Sequence, residues 1–148
     1  MTVIEVFLKS QIKDGEGQTV CDLLNDANLP ATAVRIAKLY RVEGTYNDQQ
    51  LQRLTEELLC DPITELAHRV EATNAQQDLH RIEVWLKPGV SDPEAESTKR
   101  AIRFMHLPKP LSLHCGRAYF VSGIFTQENL KNAIVKTLVN PVIHTWQI

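Results

Sequence analysis

The side chains able to do chemistry are few, and their spacing disperses them. The histidines are His68, His80, His106, His114 and His144. No two stand in the HxxxH or HExxH spacing that puts both imidazoles on one helical face for zinc. Cys21, Cys60 and Cys115 form no CxxC, and a closed zinc site takes four ligands at patterned spacing. The densest group is His114-Cys115 with Arg117 close by. A base, a thiol and a cation are the parts of a small composite nucleophilic site. His106 meets His114 and Cys115 on a metal only if the fold happens to gather them. Asp14-Gly-Glu-Gly17 opens a loop-to-helix junction. Such a junction can hold an anion, but its own acids favour capping. There is no P-loop, no GxGxxG and no serine in a nucleophile elbow. Glu56-Glu57 reads as a solvated helix face. Lys99, Arg100 and Arg103 share a helix with Glu94 and Glu96, which suits surface ion pairing or, at most, phosphate docking. No side chain stands out as acid, base or nucleophile. No catalytic residue, metal or cofactor is assigned, and the chain reads as structural, regulatory or partner-binding.

The elements that carry these residues are written twice. Ile4 to Lys9 reads IEVFLK and Ile82 to Lys87 reads IEVWLK, an offset of 78. Asp14 falls on Asp92, Glu16 on Glu94, Leu29 on Leu107 and Pro30 on Pro108. One residue then enters the second copy, and the offset becomes 79. Tyr40 falls on Tyr119, Val42 on Val121, Gly44 on Gly123, Leu51 on Leu130, Leu59 on Leu138 and Pro62 on Pro141. The expected boundaries are residues 1–71 for repeat 1, 72–79 for a linker and 80–148 for repeat 2. The stretch Ala72 to Asp78 is small and polar with no apolar period, a linker composition.

Each repeat reads β-α-β-α-β. In the first strand Ile4, Val6 and Leu8 alternate with Glu5, Phe7 and Lys9, so one face is apolar and the other mixed. Phe7 and Trp85 lie on the mixed face. There they either pack against the other copy or anchor a partner protein, where large aromatics are enriched. Asp92-Pro93-Glu94 is a helix start, with Asp as N-cap and Pro at the first helical position, and Asp14 plays the same part in repeat 1. The expected buried stripes are Val20, Leu23, Leu24 and Ala27, then Ala95, Thr98, Ala101, Ile102 and Met105. Leu-Pro at 29–30 and 107–108 is expected to stop both helices. A second strand spans Val34 to Val42 and Leu113 to Val121, ended by Gly44 and Gly123. Asn47 with Gln50 makes a capping-box pair for the second helix, and Thr126 caps its counterpart. Leu51, Leu54, Leu58 and Leu59, with Leu130, Ala133, Ile134 and Leu138, form its inner face. Ile63 to Val70 and Val142 to Ile148 are the closing strands. The order of strands in the sheet is left open.

The chain has 148 residues and a formal net charge of −2. Each half alone is near the size at which a core is marginal, so one α+β body with the repeats related by a pseudo-two-fold axis, an intramolecular dimer, is expected. The near-neutral charge gives no footprint for nucleic acid. No apolar run approaches membrane-spanning length, and the N-terminus lacks a signal-peptide layout. The thiols read as reduced, in a cytoplasmic protein.

Three segments resemble one known family. Lys87-Pro-Gly-Val-Ser-Asp-Pro-Glu94 resembles the K-x-G/S-V-x-D-P-x-G segment of the small PurS subunit of phosphoribosylformylglycinamidine synthase. Val34-Arg-Ile-Ala-Lys38 resembles its V-R-x-G-K strand, and Leu138-Val-Asn-Pro-Val-Ile143 its L-A-N-P-V-I ending. Repeat 1 carries Ile12-Lys-Asp-Gly-Glu-Gly17 and Leu59-Cys-Asp-Pro-Ile63 at two of these places. Repeat 2 departs with Ala95 for Gly, His114-Cys115-Gly116-Arg117 in the second strand, and His-Thr-Trp at its end. The tandem arrangement resembles the N-terminal region of the long, fused synthase. The resemblance implies a non-catalytic component of an ATP- and glutamine-dependent ligase of purine biosynthesis. Its implied partners are the synthetase and the glutaminase, between which it helps pass ammonia. Phe7, Trp85, Arg35, Lys38 and Arg117 are the interface candidates. A duplicated small-molecule sensor, with its ligand at the junction of the halves, is the alternative.

Overall fold

The computed structural model describes residues 1–70 and 79–148; the 72–79 linker assignment, apart from Leu79, lies outside the described residues. The elements run β1 (Thr2–Leu8), α1 (Gly15–Asp26), β2 (Ala33–Glu43), α2 (Asp48–Arg53, continuing in a π-helical turn Leu54–Leu58) and β3 (Glu65–Arg69). They repeat as β4 (Leu79–Leu86), α3 (Pro93–Phe104), β5 (Ser112–Ser122), α4 (Gln127–Thr137) and β6 (His144–Gln147). The six strands form one sheet in the order β3-β1-β2-β5-β4-β6. Every pairing is antiparallel. The first strand of each repeat therefore lies between its second and third. The two second strands make the seam.

The expected caps form. Asp14 and Asp92 accept from the Gly17 and Ala95 N–H groups, Thr126 accepts from Asn129, and Asn47 and Gln50 bond reciprocally. The helix ends differ from expectation. α1 and α3 stop before Leu-Pro is reached, because Asn28 (φ 66°) and His106 (φ 57°) turn left-handed. The Leu29 and Leu107 N–H groups then reach back to the Leu24 and Ile102 carbonyls, a Schellman-type closure. His106 thus serves as a helix stop in the place where repeat 1 has Asn, a residue at ease in that conformation. The second helix of repeat 1 widens at its end: Leu59 N–H bonds Leu54 O, five residues back, at 3.1 Å.

All four helices cover one face, and the core beneath them is shared between repeats. Val20, Cys21 and Leu24 of α1 pack with Ile82 and Val84 of β4 and with Leu130, Ala133 and Ile134 of α4. Ala95 and Ile102 of α3 pack with Ile4 and Val6 of β1 and with Leu51 and Leu54. Each repeat's first helix leans on the other repeat's strand and second helix. That lean explains a miss in the expected stripe. Leu23 is exposed and Cys21 is buried in its stead, because α1 turns its inward face toward repeat 2. On the opposite, helix-free face a smaller cluster holds Ala37, Leu39, Trp85 and Ala118, with Val3, Phe7 and Phe120 beside it.

Candidate interface site at the seam

Cross-strand partners share a face of a sheet, so register places each interface candidate. Lys38 and Arg117 are direct partners across the β2–β5 seam and lie on the helix side, between the N-terminal ends of α1 and α3. Phe7, Arg35 and Trp85 lie on the helix-free side. The sequence-based set therefore divides into two groups on opposite faces.

On the helix side two equivalent clefts, of about 310 and 320 Å³, flank the seam. The first is walled by Val84, Asp92, Glu94, Arg117 and His144. The second is walled by Val6, Asp14, Glu16, Lys38 and Glu65, with Arg117 reaching in. Arg117 forks onto Glu94, Nη2 to Oε1 at 2.7 Å and Nη1 to Oε2 at 3.2 Å. This donation holds the Glu94 carboxyl below the usual carboxylate range. Lys38 turns the other way, to Glu65 on β3 at 4.0 Å. The position equivalent to Glu65 is His144, whose Nδ1 accepts from the Asn140 N–H at 3.0 Å. Glu65 makes the matching turn bond, from the Asp61 N–H at 2.9 Å. His144 thus keeps the turn acceptor of its repeat and supplies no carboxylate to Arg117, which pairs with the helix instead.

The capping aspartates also brace the seam. The second carboxylate oxygen of Asp14 accepts the Ile36 N–H at 2.9 Å, and that of Asp92 accepts the Cys115 N–H at 3.1 Å. Both N–H groups lie one residue beyond the first-strand pairing, and the aspartates stand in for the missing ladder bond. Cys115 is buried beneath α3, and burial pushes its thiol up to about 12. His114 pairs with Arg41 and faces the other side of the sheet. The composite His114, Cys115 and Arg117 nucleophile is thus divided by the sheet itself, and a thiol this hard to ionise is a poor nucleophile.

On the helix-free face Arg35 fastens the loop after β1. Its Nη2 donates to Leu8 O at 2.8 Å and Lys9 O at 3.3 Å, and its Nη1 to Ile12 O at 3.2 Å. Trp85 is buried over Gly116, and the Arg41 guanidinium lies 4.0 Å from its ring centre. Trp85 packs within the chain, with repeat 1 supplying the cation. Phe7 is half-buried, edge-on to His68, and helps line a concavity of about 1030 Å³ with Arg35, His68, Arg69, Arg81 and Phe120. Sequence reading missed Glu5, Glu83, Arg81 and Arg41 here. One signal was available: an acid at the same place in both copies of the apolar run IEVFL and IEVWL.

Among the large apolar side chains that repeat 2 exposes, Phe104, Leu111 and Ile124 stand out at 88%, 79% and 86% exposed. Repeat 1 has Asp26, Thr32 and Thr45 at those places. No helix is long and apolar enough to cross a membrane among the described residues, and none of their His, Cys, Asp and Glu side chains cluster in threes to hold a metal. Comparison with curated proteins gives no match. The family model PurS, described as phosphoribosylformylglycinamidine (FGAM) synthase, matches residues 1–72 and again 79–148. With both matched segments folding into the same β-α-β-α-β unit, the chain belongs to the PurS family.

Proposed function

We propose that this chain is the bridging component of FGAM synthase, holding the synthetase and the glutaminase together so that ammonia passes between them. Membership of the PurS family implies a role in FGAM synthase, in purine biosynthesis, and the family is a non-catalytic part of that ligase which associates with its other subunits. The observation that carries the bridging role is the one-sided set Phe104, Leu111 and Ile124. Single exposed apolar residues are ordinary. Here, however, one repeat presents three at places where its otherwise matching twin is polar. Leu111 and Ile124 flank the two ends of β5, so repeat 2 would bury Phe104 and Leu111 against one partner and Ile124 against the other. The reading carries with it a cytoplasmic location with reduced thiols, and residues 1–71 and 80–148 as the two PurS-like units.

Analytical ultracentrifugation of the chain with synthetase and glutaminase, in the presence of ADP and glutamine, tests this directly. A ternary complex is expected. Phe104→Asp with Ile124→Thr, which give repeat 2 the residues of repeat 1, should leave the fold intact and weaken that complex at least about tenfold, the loss of one well-buried anchor. Absence of any complex, or a complex indifferent to both changes, would sink the proposal.

A second reading is favoured by the concavity on the helix-free face. Among the described residues Arg35 donates to carbonyl oxygens and not to an acid, and Arg69 and Phe120 line the same concavity. An anionic small molecule with an apolar body suits that lining, which makes a sensor role the alternative. Calorimetric titration with nucleotides and amino acids decides it, heat of binding lost in Arg35→Gln supporting the sensor.

A further inference from the structure

The repeat offset makes Glu5 of β1 and Glu83 of β4 equivalent residues, and both lie buried on the helix-free face, 4% and 8% exposed. Two carboxylates withdrawn from water at symmetric places need compensation. One guanidinium serves both. Arg81 donates through Nη2 to Glu5 Oε1 at 3.0 Å and through Nη1 to Glu83 Oε1 at 2.5 Å, with Nε at 3.3 Å from Glu5 Oε1. The remaining oxygens are also held. His68 Nε2 is 2.9 Å from Glu5 Oε2, and Glu83 Oε2 accepts from Trp85 Nε1 at 3.2 Å and Gln147 Nε2 at 3.0 Å. Arg81 reaches Glu5 across two intervening strands, whose Ala37–Ala118 pair keeps the centre of this face low.

Arg81 has no twin. Its equivalent in repeat 1 is Val3. We infer that Arg81 makes the seam heterotypic: the pairing surface of repeat 1 fits a surface carrying this guanidinium and rejects a second copy of itself. In a β2–β2 seam between two copies of repeat 1, both Glu5 carboxylates would be buried with Val3 where Arg81 should stand. Each would keep only its own His68, and Lys38 would face Lys38. A seam between two copies of repeat 2 carries two Arg81 for two Glu83, so the discrimination resides in repeat 1. Growth of a tandem protein through like-with-like seams needs both of those pairings in alternation. Blocking one of them leaves the pairing of repeat 1 with repeat 2.

The test stays within the full chain. Arg81→Val gives β4 the residue that β1 has, and so builds the rejected carboxylate pair inside an otherwise native seam. It should lower the folding equilibrium constant by at least about tenfold, a discounted form of the cost of stripping one partner from a buried pair. The decisive reading is a change of sign. Glu5→Gln should destabilise the native chain, because it loses Arg81 and His68, and should stabilise the Arg81→Val chain, because it removes one of two facing carboxylates. Where Arg81→Val does not fold, Glu83→Gln added to it should restore the fold, since it too removes one of the two buried carboxylates. If Arg81→Val is as stable as the native chain, or if neither Glu5→Gln nor Glu83→Gln recovers it, the inference is wrong and Arg81 is only packing.

Discussion

Lys38 and Arg117 stand directly opposite each other across the seam, and each occupies the same place in its own repeat. The approximate two-fold relation of the repeats therefore passes through a pair of like charges. Like charges in direct opposition destabilise a sheet, and the two side chains part to different carboxylates, Glu65 and Glu94. Removing either cation thus relieves repulsion, but only Arg117 gives up a forked pair. Lys38→Gln should change stability by less than about 0.5 kcal/mol, while Arg117→Gln should cost about 1 kcal/mol, held to that by its partial exposure. The lowered Glu94 pKa sets the pH sign: its contribution is full above the ordinary carboxylate value of 4.5 and is lost as pH falls through the folded value. Urea midpoints of both variants at neutral and acid pH check the order. Equal costs at both positions would contradict it.

Trp85 and Gly116 are cross-strand partners, and so are their equivalents Phe7 and Ala37. The repeat with the larger ring has the smaller residue beneath it. A Cβ on Gly116 would stand 2.6 Å from Trp85 Cε3 and 2.7 Å from the Val84 carbonyl oxygen. Gly116→Ala should therefore cost about 1–3 kcal/mol. Trp85→Ala should cost about 3–5 kcal/mol, as expected of a buried ring. Trp85→Phe with Gly116→Ala copies the pair of repeat 1 and should lose less than the two single changes added together. Denaturant unfolding of the set gives the coupling. A strictly additive cycle would mean that the two positions are independent.

The duplication, the element order and most caps were legible because they are local. The offset from IEVFLK to IEVWLK, the Asp-Pro-Glu helix start and the Asn47–Gln50 pair all act within a few residues of themselves. The strand order, and the sharing of each core between repeats, depend on pairings far apart in the chain, so the Leu23 side of α1 was misjudged. The Glu5–Arg81–Glu83 group escaped for the same reason, since periodicity reports which face a residue takes and not what reaches it from another strand. His106 looked like chemistry by residue type. Its equivalence to Asn28 was the clue that it ends a helix.

Asp14 and Asp92 each satisfy two N–H groups, one at a helix start and one on the neighbouring second strand. An ordinary N-cap is worth about 1 kcal/mol. Loss of the second acceptor leaves a partly buried strand N–H without a partner, which adds about 1–3 kcal/mol. Asp92→Ala should therefore cost about 2–4 kcal/mol. Asp92→Asn should recover only part of that, because the amide keeps one acceptor and turns a donor toward the other N–H. Thermal unfolding with hydrogen exchange at Cys115 tests the division: the amide should lose protection in both variants, and retained protection in Asp92→Ala would refute the bracing role.

Burial sets the alkaline limit of the fold. It pushes the Cys115 thiol from 9.0 up to about 12 and the Tyr40 hydroxyl from 10.0 up to about 12. An acid whose pKa rises on folding stays protonated where the unfolded chain has already ionised. The folded state then binds more protons than the unfolded one, and stability falls as pH rises. The loss should begin near pH 9 with Cys115, steepen near pH 10 as Tyr40 joins, and level off toward 12. Cys115→Ala removes the first contribution. It should lower stability at neutral pH by opening a small void, yet show a shallower decline between pH 9 and 10 than the native chain. The same burial should make Cys115 unreactive to iodoacetamide at pH 8 in the folded protein. Urea midpoints taken across the alkaline range, beside alkylation mapped by mass spectrometry, test both parts. Parallel pH slopes in the two proteins, or rapid alkylation of the native thiol, would show that Cys115 ionises as freely in the fold as out of it.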